Sequence, residues 1–215
     1  MTAAERTLTA LRADVLTGGL APGEQLVQED IADKYGVSRV PVREALQLLT
    51  SEGLVSHVPH RGYFVTELSI SDLSEVYRLR QLLEAEAIRA AVPALRDDDV
   101  TTFEALAIAV QDADDLQDLT AANRRFHFAL FEAAGMGRLT RLLRQLWDAS
   151  DVYRSLYFQQ SVNRSRVHAE HAEMLAAIRD RDTEHLIALH DAHRAHSVAW
   201  VRSQLLRQTR PEETP

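Results

Sequence analysis

At 215 residues the chain can form one large domain or two small ones, each able to bury its own core. Its 46% apolar and 26% charged content is that of an ordinary soluble globular chain. No apolar run reaches the roughly 18 residues of a membrane span, and residues 1–13 lack the apolar stretch of an export signal, so a cytoplasmic location without membrane contact is expected. The absence of cysteine excludes disulfides and thiolate metal sites, and the formal charge of −8 excludes a broadly basic nucleic-acid surface.

Leu8, Leu11, Val15 and Leu16 recur at helical spacing, and Gly18-Gly19 then ends the segment. Pro22-Gly23 marks a turn before a short second helix, Gln28 to Tyr35, closed by Gly36. Ser38 is placed as the N-cap of a third helix, with Pro41 tolerated in its first turn and Val42, Ala45, Leu46 and Leu49 as its buried stripe; Gly53 stops it. Two β-prone runs, Leu54 to Val58 and Tyr63 to Thr66, flank Pro59-His60-Arg61-Gly62 as a hairpin with a basic tip. From residue 70 the pattern changes to long helices, the first with Ser71 as N-cap, and further periodic segments over roughly 98–114, 119–134, 138–160, 162–180 and 183–208. The predicted fold class is mainly α: a winged helix-turn-helix over 1–69, an all-α six-helix antiparallel bundle over 70–208, and a disordered tail over 209–215.

The second and third helices, joined at Gly36, have the pattern of a helix-turn-helix, whose second helix enters the major groove N-terminus first. Arg39 and Arg43 stand four residues apart, which puts both guanidiniums on one face at the end whose dipole favours phosphate. The hairpin tip His60-Arg61-Gly62 is the expected wing. The first 66 residues hold six basic residues against eight acids, so any DNA surface must be a local cluster.

Six of the nine histidines, His168, His171, His185, His190, His193 and His196, lie in the last two helical segments. Asn123 and His127, four residues apart, project from one face of a helix, as paired ligands from a bundle helix must. Periodicity alone does not choose between His168 and His171, nor among His190, His193 and His196.

The run Ser38-Arg39-Val40-Pro41-Val42-Arg43-Glu44-Ala45-Leu46 resembles the recognition-helix signature of the GntR family of bacterial transcription regulators. Leu20 to Glu24, Glu52 to Val55 and Arg61 to Val65 match its flanks. The resemblance implies operator binding through Ser38, Arg39, Val40, Pro41, Arg43, His60, Arg61 and Gly62; Val40 stands where the family usually has Thr, replacing a hydroxyl by a methyl-bearing side chain. The C-terminal 140 residues resemble the FCD ligand-binding domain of the FadR subfamily, in its six-helix VanR-like branch, through Ser71-Asp72-Leu73 with Arg80 and Glu84, Phe126-His127, and His171 to Ile178. His193 follows His171 by the family's twenty-two residues. That resemblance implies a homodimeric repressor and a divalent metal, zinc before nickel or manganese, held by Asn123, His127, His171 and His193 beside a small carboxylate effector. Asn123 replaces the family's commoner Asp, so the ion would be bound more weakly and its charge left less compensated.

For the effector, Arg78, Arg80, Arg125 and Arg154 are candidate forks for a carboxylate, with Tyr153 and Tyr157 as possible pocket walls. Two other function classes share parts of this pattern. A zinc hydrolase lacks its general base here, since no H-E-x-x-H helix is present. A DNA-binding dimer with an effector-free bundle would share the same N-terminus.

Overall fold

The computed structural model describes residues 1–208, apart from the side chains of Val152, Arg207 and Gln208; the tail predicted over 209–215 lies outside the described residues. The N-terminal unit comprises α1 (Ala3–Leu16), β1 (Gln25–Leu26), α2 (Gln28–Tyr35), α3 (Arg39–Ser51), β2 (Val55–Val58) and β3 (Gly62–Val65). Thr2 and Glu5 close a capping box that starts α1 several residues before its first periodic leucine. Gly36, at φ 64°, ends α2 in a left-handed C-cap that reverses the chain into α3. Val42, Ala45, Leu46 and Leu49 are the buried face of α3, packed against Leu11 and Val15 of α1.

The three strands form one antiparallel sheet in the order β1-β3-β2. Val58 pairs with Gly62, leaving the three-residue tip Pro59-His60-Arg61, where His60 takes the left-handed φ of 64°. The two-residue strand β1 is an addition to the sequence reading, since two residues carry no alternation to detect.

The C-terminal unit holds α4 (Ile70–Ala91), a 3-10 turn (Val92–Ala94), α5 (Asp97–Gln111), α6 (Leu116–Ala133), α7 (Gly137–Phe158), α8 (Ser161–Arg179) and α9 (Thr183–Gln208). The cap of α4 corrects the sequence reading: Ser69, not Ser71, is the N-cap, because its hydroxyl accepts from the Asp72 N–H while Asp72 returns a bond to the Ser69 N–H. Ile88, Phe126, Phe131, Leu143, Trp147 and Met174 are among the residues that build one apolar core between these helices. Burial of each such side chain contributes about 1.5–3 kcal/mol, enough to hold polar groups in place among them. No helix among the described residues is long and apolar enough to cross a membrane.

Candidate functional site

The face of α3 opposite its buried stripe carries Arg39, Val40, Arg43, Glu44 and Gln47, all exposed, with Val40 at 53%. Elsewhere in the N-terminal unit two basic residues are neutralised by local acids: Arg12 pairs with Glu52 and Lys34 with Asp14, each at 2.5 Å. Arg43 has no partner among the described residues, and Arg39 pairs only with exposed Glu29, an ion pair worth at most about 1 kcal/mol. On this face Arg43 is thus left without a counter-charge among the described residues, and Arg39 is held only by a weak surface pair. Ser38 caps α3 by its backbone conformation alone, without a side-chain hydrogen bond, and Pro41 is half-buried in the first turn. In the wing, the Arg61 guanidinium lies 5.2 Å over the Phe64 ring, while the Arg61 carbonyl accepts from Gln25 Nε2 at 2.9 Å. Exposed His60 and Arg61, followed by Gly62 at φ 96°, form the tip.

The second assembly lies in the bundle core. On α8, His171 falls in the stripe formed by Asn163, Val167, Met174 and Ile178, and His127 shares the buried face of α6 with Asn123, Phe126 and Leu130. His193 of α9 completes the group, and the three residues' candidate donor atoms lie within 4.8 Å of one another. His127 Nε2 and His171 Nε2 are 3.2 Å apart. Two imidazoles on one ion at about 2.1 Å and angles of 90–109° have nitrogens roughly 3.0–3.4 Å apart, so this pair already has the spacing of ligands. His193 Nδ1 meets Glu170 Oε2 at 2.6 Å, and Glu170 also meets His196 Nδ1 at 2.6 Å. A carboxylate on the outer nitrogen orients His193 and leaves Nε2 as its inward donor.

Burial, and then the neighbouring imidazoles, hold His127 and His171 well below the usual histidine range. Burial brings His190 to about 3 against the opposing pull of Glu84, and lowers His193 against that of Glu170. The rings are therefore neutral near pH 7, the state in which an imidazole can ligate an ion. Among the described residues, buried polar atoms without a hydrogen-bond partner gather on the side chains of this region: both amide atoms of Asn123, Nδ1 of His127 and of His171, Nε2 of His190, Oη of Tyr77 and Nη1 of Arg154. Folded chains rarely leave such atoms unsatisfied, and their concentration here fits a site that an ion and a polar ligand complete.

Beside the histidines runs a buried charge network. Glu84 accepts from Arg80 Nε at 2.9 Å and Trp147 Nε1 at 2.8 Å, and also pairs with Arg194. Burial would raise this carboxyl, but Arg80, Arg194 and His190 bring it down to about 2. Arg154 Nη1 lies 2.6 Å from Asp151 Oδ1 but is misdirected for a hydrogen bond, and its guanidinium covers the Trp147 ring at 3.8 Å. The buried arginines Arg80, Arg154 and Arg194 thus meet the buried acids Glu84 and Asp151, with Asp191 on Arg194 and Arg124 on Asp151 at the edge of the network.

Of the effector candidates, the structure brings Arg80 and Arg154 to this network. Arg125 is exposed, two residues and roughly 200° around α6 from His127, and Tyr153 turns its hydroxyl to the backbone of Leu68. Sequence reasoning did not assign roles to Trp147, Glu170, His190 and Arg194. The signal available for Arg194 was its place beside His193, and for Glu170 its place beside His171.

The matching family models are the Bacterial regulatory proteins, gntR family, over residues 3–65, and the FCD domain over residues 75–196. The chain belongs to the GntR family of bacterial regulators. Among GntR relatives, the HTH-type transcriptional regulator BphR of Paraburkholderia xenovorans is 34% identical over 92% of this chain and 84% of its own length. The HTH-type transcriptional repressor GlaR of Escherichia coli is 27% identical over 80% and 84%. The solved structure of E. coli McbR/YncC superposes with a TM-score of 0.80 at 25% identity, covering 95% of this chain and 99% of that one. These GntR relatives are transcriptional regulators rather than enzymes, and this chain is a DNA-binding regulator of the same architecture.

Proposed function

We propose that the chain is a cytoplasmic, homodimeric repressor whose hold on operator DNA is set by a small organic acid bound beside a divalent metal, most simply zinc. The carrying observation is the convergence of His127, His171 and His193, among buried polar atoms that have no hydrogen-bond partner among the described residues. His127, His171 and His193 would hold the ion, with the Asn123 amide oxygen as fourth donor. When bound, it supplies a positive Lewis-acid point for a carboxylate oxygen. Arg154, held by Asp151 in an ion pair that makes no aligned hydrogen bond, and Arg80 behind it would pair with the acid from the other side. Arg125 and Tyr153 have no part in that contact.

In the N-terminal unit, residues 1–69, Arg39 and Arg43 would reach phosphate or guanine edges and Val40 a thymine methyl, with Ser38 and Pro41 at the helix entry and His60, Arg61 and Gly62 along the flanking backbone. Two such units, joined through residues 70–208, would occupy successive major grooves of a pseudo-palindrome. Repression is supported by the relative GlaR, named a repressor. Elemental analysis of full-length protein purified without chelator tests the metal. About one ion per chain is expected, and none in a His171→Ala/His193→Ala variant; a metal-free wild-type protein contradicts the reading and leaves a structural bundle.

A further inference from the structure

Three consecutive residues of α7, Tyr153, Arg154 and Ser155, are buried. Successive residues of a helix point about 100° apart, so these three address different neighbours. The Tyr153 hydroxyl accepts from the Leu68 N–H at 2.6 Å and faces the Leu68 carbonyl at 3.4 Å, in the segment that joins β3 to α4. Arg154 covers the Trp147 ring at 3.8 Å, and that ring lies 5.1 Å from the ring of His127 in the histidine centre. Ser155 abuts Gly18, just beyond the end of α1, so closely that a β-carbon on Gly18 would fall 2.7 Å from its Oγ. The Tyr153 ring belongs to the same apolar cluster as Leu11 and Val15 of α1, Leu73 and Tyr77 of α4, and Val201 of α9. The winged helix is therefore docked on the bundle through one shared core rather than hung from a free linker.

We propose that Tyr153 is a positioning residue, fixing the winged helix on α7 so that a shift of α7 set by the occupant of the histidine centre is passed to the DNA-binding unit. The proposal rests on the reading of that centre as a ligand site. Close-packed interiors transmit displacement rather than absorb it, and Arg154 lies on the helix between the two contacts with the winged helix. A cavity of about 130 Å³, bounded by Pro22, Glu67, Tyr153, Trp200 and Gln204 among others, leaves the joint room to move.

Amide hydrogen exchange in the full chain tests this, with zinc alone as the probe. In the wild type, zinc is expected to slow exchange over residues 66–68 and 17–20 by about fivefold, the effect of one hydrogen bond's worth of local stability. Tyr153→Phe keeps the ring and removes the hydroxyl; it should bind the same amount of zinc yet lose most of that response. A purely structural tyrosine would instead lower the protein's stability and leave the zinc response intact, and that result overturns the proposal, as does wild-type protein that binds zinc without any change in these segments. If no zinc binds, the metal reading fails by itself, and Arg154→Met in zinc-free protein decides the role of Tyr153. That change alters the centre without a ligand and must accelerate exchange over both segments, whereas unchanged exchange there rejects the lever.

Discussion

Glu84 is the most exacting place to perturb the bundle, because one buried carboxylate takes Arg80, Trp147 and Arg194, the last of which it shares with Asp191. Lowering its pKa from 4.5 to about 2 corresponds to about 3 kcal/mol, at ~1.36 kcal/mol for each factor of ten. Removing one member of a buried ion pair costs about 3–5 kcal/mol by an independent argument, since the remaining charge is stranded. Glu84→Gln should therefore lower the unfolding free energy by about 3 kcal/mol, read from urea midpoints at fixed protein concentration with an unchanged m-value. Because the folded carboxyl is depressed, this contribution is complete above about pH 4.5 and is lost as the pH falls towards 2. Adding Arg194→Met, which removes one stranded charge, should recover part of the loss. A Glu84→Gln penalty below about 1 kcal/mol would refute the network as a source of stability.

Acid should destabilise the metal-free protein earlier than carboxylate protonation alone requires. His127, His171 and His190 are held neutral, so the stability they contribute is present above about pH 6.5 and lost as the pH falls below it; His190, at about 3, accounts for about 2 kcal/mol of loss at pH 5. Melting curves at pH 7.5 and 5 check this, and equal midpoints would contradict it. Arg43→Ala should weaken operator binding at least tenfold and reduce the slope of log affinity against log salt by about one, with melting unchanged because the side chain is exposed. Equal affinity in a salt-controlled titration would remove Arg43 from the interface.

What was legible from sequence followed the strength of each local signal. The α2 boundaries, the stripe of α3 and the six helices of the bundle are visible because the apolar period is 3.6 and Gly, Pro and Ser punctuate it. The choice of Ser69 over Ser71 turns on which hydroxyl reaches an N–H three residues on, and two candidate serines in one turn offer the same local pattern. The nearness of His127, His171 and His193 was implied by family resemblance; periodicity could not select them, because the relative rotation of α6, α8 and α9 is a tertiary property. For the same reason the sequence could not show that the Tyr153 hydroxyl meets the backbone of Leu68, which depends on the path of the linker. The Glu84 network joins α4, α7 and α9 across 63 and 110 residues, distances over which composition and spacing carry no information.

Operator affinity measured with metal present or stripped, against a panel of small mono- and dicarboxylates, bears most directly on the whole account. At least one acid is expected to change the affinity tenfold or more in metal-loaded protein and to lose that effect when the metal is removed. The same affinity under every condition, in protein that carries the metal, would contradict control of DNA binding from the histidine centre.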